Sequence, residues 1–379
     1  MKASTQVSRL GLPLNFHDGG RPYVAYPNLR DFRWLLPVDP LLRRAGISSY
    51  APTRMRGRVL KALIAGAWWR GDRVWLEEGP LAQLESQLGR ILGAAELRLA
   101  FSIGTPGAYC KVTAQAMTPR GRVLAYAKLA TQPLPQTALE AERRTLLRLA
   151  EVRVLRDRIP EVISWFRWGQ TRVLVTLAVS AQPGPGRLSG THLEMLRFLH
   201  QSFAEVHPFT ASPMWLRIVE AVNRLGPRLP DPWPIRYERA LNYLHARMSR
   251  VKSPFSLAHR DFAPWNTRWG PRGLFVFDWE AANDGVAPLY DAFHFQAVQA
   301  ALAGKTYHPP YGFLGAWLKN LWPEGSACVY PLYLAYLVDQ SLFYGEATLL
   351  ASDPDEDERV WRWLGEQLDL ALEGRSGVA

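Results

Sequence analysis

Leu257-Ala258-His259-Arg260-Asp261-Phe262-Ala263-Pro264-Trp265-Asn266, followed by Leu274-Phe275-Val276-Phe277-Asp278-Trp279-Glu280, is the stretch on which the reading of this chain turns. It spells H-R-D-x-x-x-x-N and then a short apolar run that delivers Asp278 twelve residues beyond Asn266. A lone Asp in a loop is ordinarily a turn former or a cap. The joint pattern is far rarer than any of its members. Phosphoryl transfer needs one carboxylate to orient the attacking hydroxyl and accept its proton, and oxygen ligands that hold Mg²⁺ against the nucleotide phosphates. Asp261 suits the first task; Asn266 and Asp278 suit the second, since Mg²⁺ prefers hard oxygen donors. ATP and Mg²⁺ are therefore the expected cofactors.

Upstream, strand-like alternation runs over 97–103, 109–117 and 122–129, broken by Gly104-Thr105-Pro106-Gly107 and Thr118-Pro119-Arg120-Gly121, which predicts an antiparallel meander. Residues 137–150 carry leucines at helical spacing, 173–179 reads as a buried strand, and Gln182-Pro183-Gly184-Pro185-Gly186 as a linker. Beyond it the pattern is helical over 189–206, 214–225, 234–250, 289–303, 311–321, 330–350 and 355–373. Residues 1 to about 90 mix aromatic and Pro-containing loops with one expected helix over 53–69. No repeat of the solenoid kind is present. The expected plan is α+β with two lobes: an N-terminal accessory segment over 1–92, a sheet-rich N-lobe that binds nucleotide over 93–181, and a helical C-lobe with the catalytic and acceptor site over 182–379.

These motifs resemble the aminoglycoside phosphotransferase and choline kinase family of the protein-kinase-like superfamily, across about residues 97 to 350. The resemblance rests on the loop above, on Phe277-Asp278-Trp279-Glu280-Ala281-Ala282 and on Pro288-Leu289-Tyr290-Asp291. It implies a protein-kinase-like fold and gives Lys128, midway along an apolar run, the task of holding the α- and β-phosphates while paired with a Glu on the next helix. A buried ammonium needs such a partner. Glu142 is the first choice and Glu140 the second. The resemblance further implies that Asp291 anchors the catalytic region. Ser102, Gly104 and Gly107 fall where a loop covering the phosphates belongs, although this run is not G-x-G-x-x-G and a plain hairpin reads the same. The family usually has Gly where this chain has Arg260, which leaves the role of that arginine open. His192, His200 and His207 read as packing or surface residues.

The net charge of +11 is uneven: residues 1–160 hold 25 Lys and Arg against 12 Asp and Glu, and residues 161–379 hold 20 against 22. Such a basic front is a solvated surface or meets an anionic substrate or membrane. No helix-turn-helix, zinc finger or aromatic RNP pattern is present, so no nucleic-acid partner is expected. Cys110 and Cys328 form neither a disulfide framework nor a metal spacing, and the opening residues lack the apolar run of a signal peptide, so the expected location is cytoplasmic.

The expected activity is transfer of the γ-phosphate of ATP to a hydroxyl of a small-molecule or sugar-like acceptor, with Asp261 as base. A protein kinase is the alternative, disfavoured because Asp278 is followed by Trp-Glu rather than Phe-Gly and lies too close to the next helix for an activation segment. A catalytically inactive nucleotide-binding module is a further alternative, weakened by the presence of every expected residue. A polycationic aminoglycoside acceptor calls for an acidic pocket, against the overall charge. Contact of the basic stretch 54–61 and the apolar 60–69 with an anionic membrane is compatible with kinase activity. Nothing in the sequence sets the acceptor or the oligomeric state.

Overall fold

In the computed structural model, residues 14–50, 52, 55–66, 68, 70–104, 109–350 and 355–373 are described. The chain divides into two compact units, Met1–Gly184 with Arg268–Glu280, and Pro185–Thr267 with Ala281–Ala379.

The first unit is built on an eight-stranded sheet. Its strands are β1 (Phe16–Tyr26), β2 (Trp34–Pro37), β3 (Asp72–Leu76), β4 (Arg98–Ile103), β5 (Val112–Met117), β6 (Val123–Ala130), β7 (Val162–Trp168) and β8 (Thr171–Leu177), in the order β3-β1-β2-β4-β5-β6-β8-β7. Strand alternation sends Ala114, Ala116, Ala125, Ala127 and Leu129 to one face, where they share a core with Leu81, Leu84 and Leu88. Those three leucines recur at helical spacing along a helix over Glu78–Leu92. The opposite face carries Thr113, Gln115, Tyr126 and Lys128. Met117 and Ala100 on that side meet Leu42 and Ile64 of the helices α1 (Pro40–Gly46) and α2 (Met55–Ala65). The helix over Glu78–Leu92 is α3, and α4 (Pro133–Glu151) joins Lys128's face through Leu139, which packs on Leu174 and Ala130.

The expected three-stranded meander is thus β4 to β6, and β1 to β3 from the front of the chain extend the same sheet. Their sequence hides this. Phe16–Tyr26 holds Gly-Gly and Pro and does not alternate, and Trp34–Pro37 has four residues. Pairing with neighbours makes them strands: β1 pairs with β2 on one side and β3 on the other, and Arg21 bonds Glu85 of α3 at 2.6 Å. The helix expected over 53–69 runs Met55–Ala65, with 53, 54, 67 and 69 outside the described residues. A short strand β9 (Gln182–Pro183) pairs with β12 (Thr267–Gly270), which is followed by β13 (Gly273–Val276). Arg268–Glu280 accordingly groups with the first unit, although the helices that precede and follow it in sequence belong to the second.

The second unit is helical: α5 (Gly190–Phe203), α6 (Pro213–Leu225), α7 (Trp233–Met248), α8 (Tyr290–Ala303), α9 (Tyr311–Lys319), α10 (Val329–Leu350) and α11 (Asp355–Glu373), with a small sheet of β10 (Glu205–Pro208), β11 (Lys252–Ala258) and β14 (Asn283–Val286). Helix α10 is buried along most of its length against α6, α7, α8 and α11. Trp233 of α7 stacks on Trp361 of α11 with ring centres 4.5 Å apart. Gly345 of α10 makes room for that pair, because a Cβ there would lie 2.9 Å from Trp361 Nε1.

Leu84→Ala should lower stability by about 2–5 kcal/mol, the range for emptying a fully buried leucine site. A urea midpoint unchanged from wild type would show that α3 is an appendage and not part of the core.

Candidate active site

In the first unit, Lys128 lies opposite Thr113, which lies opposite Ser102, so all three point to one face of the sheet. The Lys128 ammonium stands 2.5 and 2.7 Å from the two Glu142 oxygens and 2.8 Å from Asp278 Oδ1. Glu142 falls on the inner stripe of α4 with Leu139 and Leu146 and is 1 % exposed. Burial works against the lysine's charge, but the Asp278 and Glu142 carboxylates outweigh it and hold the pKa above its ordinary value. Glu140 pairs with Arg143 at 2.8 Å.

Asp278 sits at φ 70°, a left-handed backbone that a short polar side chain tolerates better than a bulky one. The turn is pinned by fully buried Trp279, whose Nε1 donates to the Val276 carbonyl at 2.9 Å. Lys111 and Glu280 form an ion pair beside it, and Lys111 Nζ is 3.8 Å from Asp278 Oδ1. Oxygens of Glu142, Asp278 and Glu280 all lie within 4.8 Å of one another. Three converging carboxylates are the hard-donor set that suits Mg²⁺, and here two ammonium groups balance them. The Gly104 N–H donates to the Lys111 carbonyl at 2.9 Å, while Gly107 lies outside the described residues.

In the second unit, the chain leaves β11 at Ala258, and the backbone N–H groups of His259 and Arg260 each donate to a different oxygen of Asp291 at 2.8 Å. Burial pushes the Asp291 pKa up, opposed by His259 and these two donors. Asn266 Nδ2 donates to the Asp261 carbonyl at 2.9 Å and to Asp261 Oδ2 at 2.8 Å. The Asp261 side chain is 40 % exposed, whereas His259, Phe262, Ala263, Pro264 and Asn266 around it are buried. His294 of α8 brings Nε2 to 3.4 Å from Asp261 Oδ1 and Nδ1 to 3.3 Å from the Tyr336 hydroxyl. His192 caps α5 by accepting from the Ser189 N–H, and burial pushes its pKa down to about 4. His200 is buried as well, and His207 pairs loosely with Glu205.

A model of the family described as the phosphotransferase enzyme family matches residues 118–309, just over half of the chain. The chain belongs to this family. The fold of this phosphotransferase is also that of solved relatives. Aminoglycoside phosphotransferase APH(4)-Ia is 15 % identical, with 79 % of this chain and 99 % of that chain covered, at a TM-score of 0.52. A thermostable mutant of the same enzyme, in a ternary complex with AMP-PNP and hygromycin B, is 14 % identical over 78 % of this chain and 100 % of that chain, at 0.53. The GDP complex of a mutant aminoglycoside 2′-phosphotransferase is 12 % identical over 78 % and 99 %, at 0.52. The likeness establishes the protein-kinase-like α+β fold. No curated protein matches the sequence.

Arg260 of this phosphotransferase takes φ 65°, a backbone that glycine adopts freely. Its guanidinium bonds Asp339 of α10 at 2.5 Å and lies over the Tyr290 ring. Tyr290 donates its hydroxyl proton to the same Asp339 oxygen, and Gln340 Nε2 donates to the Arg260 carbonyl at 3.1 Å. The arginine thus ties the loop to α10 at a cost in backbone strain. Sequence reasoning assigned no role to Asp339, Gln340, Tyr290, His294, Tyr336, Lys111 or Glu280. A signal existed for Asp339 and Gln340, which end the run Val329–Val338 of a helix without a charge up to that point, where a buried charge requires a partner.

Arg260→Ala should cost about 3–5 kcal/mol, because it leaves the Asp339 carboxylate buried without its ion pair. Arg260→Gly should cost about 1 kcal/mol less, since glycine removes the left-handed strain. Equal losses of the two variants in urea unfolding would remove strain from this account.

Proposed function

We propose that this phosphotransferase moves the γ-phosphoryl group of ATP onto a hydroxyl of a small-molecule or sugar-like acceptor, with Asp261 as the base. The observation that carries the reading is the presentation of Asp261: a carboxylate open to solvent in a buried loop, with one oxygen held by Asn266. A base must be reachable by the proton it takes and fixed in orientation. Asp261 accepts the hydroxyl proton as the acceptor oxygen bonds to the γ-phosphorus and the bridging oxygen departs with ADP.

Lys128, kept charged by Glu142 and Asp278, offers a preorganised positive charge to the α- and β-phosphates. Ser102, Gly104 and Gly107 are assigned to the cover over those phosphates. Asp278 and Asn266 would hold Mg²⁺, with the Glu280 carboxylate adjacent to Asp278. The metal, when bound, neutralises charge that develops on the phosphate oxygens. Solved relatives captured with ADP, AMP-PNP, hygromycin B or GDP support a nucleotide and a small acceptor. A small acceptor is further supported by the path from Asp278 to Tyr290, which passes directly through β14 into α8 and leaves no segment on which a protein substrate could dock.

A membrane contact in the cytoplasm is a second, compatible reading. Met55, Val59 and Trp68 are 70 %, 50 % and 82 % exposed, beside exposed Arg56 and Arg58, with Arg54 outside the described residues. No helix among the described residues is long and apolar enough to cross a membrane. The protein should sediment with phosphatidylserine vesicles and be released by high salt; indifference to the vesicles would end this reading.

ATP with Mg²⁺ should raise the melting temperature more than ATP with EDTA. Against an acceptor found by screening sugars, amino alcohols and aminoglycosides for ATP consumption, Asp261→Asn should lower kcat by about 10²- to 10⁴-fold with nucleotide affinity kept. Asp278→Asn should instead weaken nucleotide and metal engagement together, with partial rescue by excess Mg²⁺. Turnover of Asp261→Asn above about a tenth of wild type would remove the base assignment.

A further inference from the structure

We infer that His294 is a positioning residue for Asp261, held in its Nε2-protonated form by Tyr336. The inference rests on the assignment of Asp261 as base. Helix α8 carries Asp291 and His294 three residues apart on one face, so the helix that grips the backbone of residues 259 and 260 also sets an imidazole against the Asp261 carboxylate. His294 is 2 % exposed.

A neutral imidazole has one donor nitrogen and one acceptor nitrogen, and the hydrogen bond at one decides the state of the other. Tyr336 is fully buried, and its phenol keeps its proton because burial raises the pKa well above the ordinary value. An ionised carboxylate can only accept, so Nε2–H is the nitrogen turned to Asp261 Oδ1, and Nδ1 is left as the acceptor for the Tyr336 hydroxyl. The opposite tautomer would set a nitrogen lone pair against a carboxylate oxygen. Asn266 holds Oδ2 from the other side. With one donor on each oxygen, the carboxylate plane is fixed and further lone pairs stay available for the acceptor hydroxyl. The contact of 3.4 Å is long, as hydrogen bonds in catalytic sites often are before substrate is in place.

Three variants separate this role from packing. His294→Leu keeps the bulk and removes the donor, His294→Gln returns an amide N–H near the position of Nε2, and Tyr336→Phe removes one hydroxyl. Turnover is followed as phosphate release from MgATP with water as acceptor, and the tautomer by ¹⁵N spectra of histidine-labelled protein. His294→Leu should lower kcat by about tenfold or more, as expected for one hydrogen bond to a charged group, with KM for MgATP changed by less than about twofold. His294→Gln should recover most of that loss, Tyr336→Phe should fall between, and His294→Leu should add nothing in an Asp261→Asn background. Overturning results are a His294→Leu kcat within about twofold of wild type, a His294→Gln loss as large as that of His294→Leu, or a wild-type His294 protonated at Nδ1. If His294→Leu does not fold, Tyr336→Phe and the wild-type spectrum decide. Loss in Asp261→Asn without loss in His294→Leu sinks this inference alone; retained turnover in Asp261→Asn sinks the base assignment beneath it.

Discussion

An ammonium group on the inner face of a β-sheet has to be matched by carboxylate, and the first unit is arranged around that requirement at Lys128. One partner, Glu142, arrives from α4 almost wholly buried; the other, Asp278, arrives from the hairpin of β12 and β13. Removing one member of such a buried set leaves the others without compensation, which is far more destabilising than the set is stabilising. Three elements distant in sequence are therefore held to one point. The same requirement explains why residues 268–280 group with the sheet and not with the helices that precede and follow them in sequence.

The second unit follows the same rule with the signs exchanged. Asp291 is a buried carboxylate satisfied by two backbone N–H groups, and Asp339 is a buried carboxylate satisfied by Arg260 and Tyr290. Asp291 holds both residues that precede Asp261 and Asp339 holds the second of them, so the solvent-facing carboxylate is mounted on a backbone with little freedom. The left-handed conformation at Arg260 persists because these contacts over-determine it. Where the resemblance led to an expectation of glycine, arginine exchanges an unstrained turn for an anchor into α10.

Membership of the phosphotransferase family and the kinase-like fold leave the acceptor to local chemistry. The basic excess of the first 160 residues is distributed over a sheet far larger than the meander the motifs suggest, because β1 to β3 and their helices belong to it.

Residues 257–280 by themselves pointed to phosphoryl transfer and singled out Asp261, Asn266 and Asp278 as candidates for its site, because spacing along a loop and strand is a local property that chemistry constrains tightly. Hydrophobic periodicity likewise located most helices of the second unit, since burial of one face is written into the chain every three or four residues. The strands at 16–26 and 34–37 were invisible for the converse reason: a short or glycine-containing strand is stabilised by its neighbours' hydrogen bonds and not by its own alternation. The polar surroundings of Asp261 were equally hidden. His294, Tyr336 and Asp339 lie 33 to 78 residues from it in sequence, and only the packing of α8 and α10 decides that their side chains meet the loop, because a buried polar group declares the need for a partner but not which partner it finds.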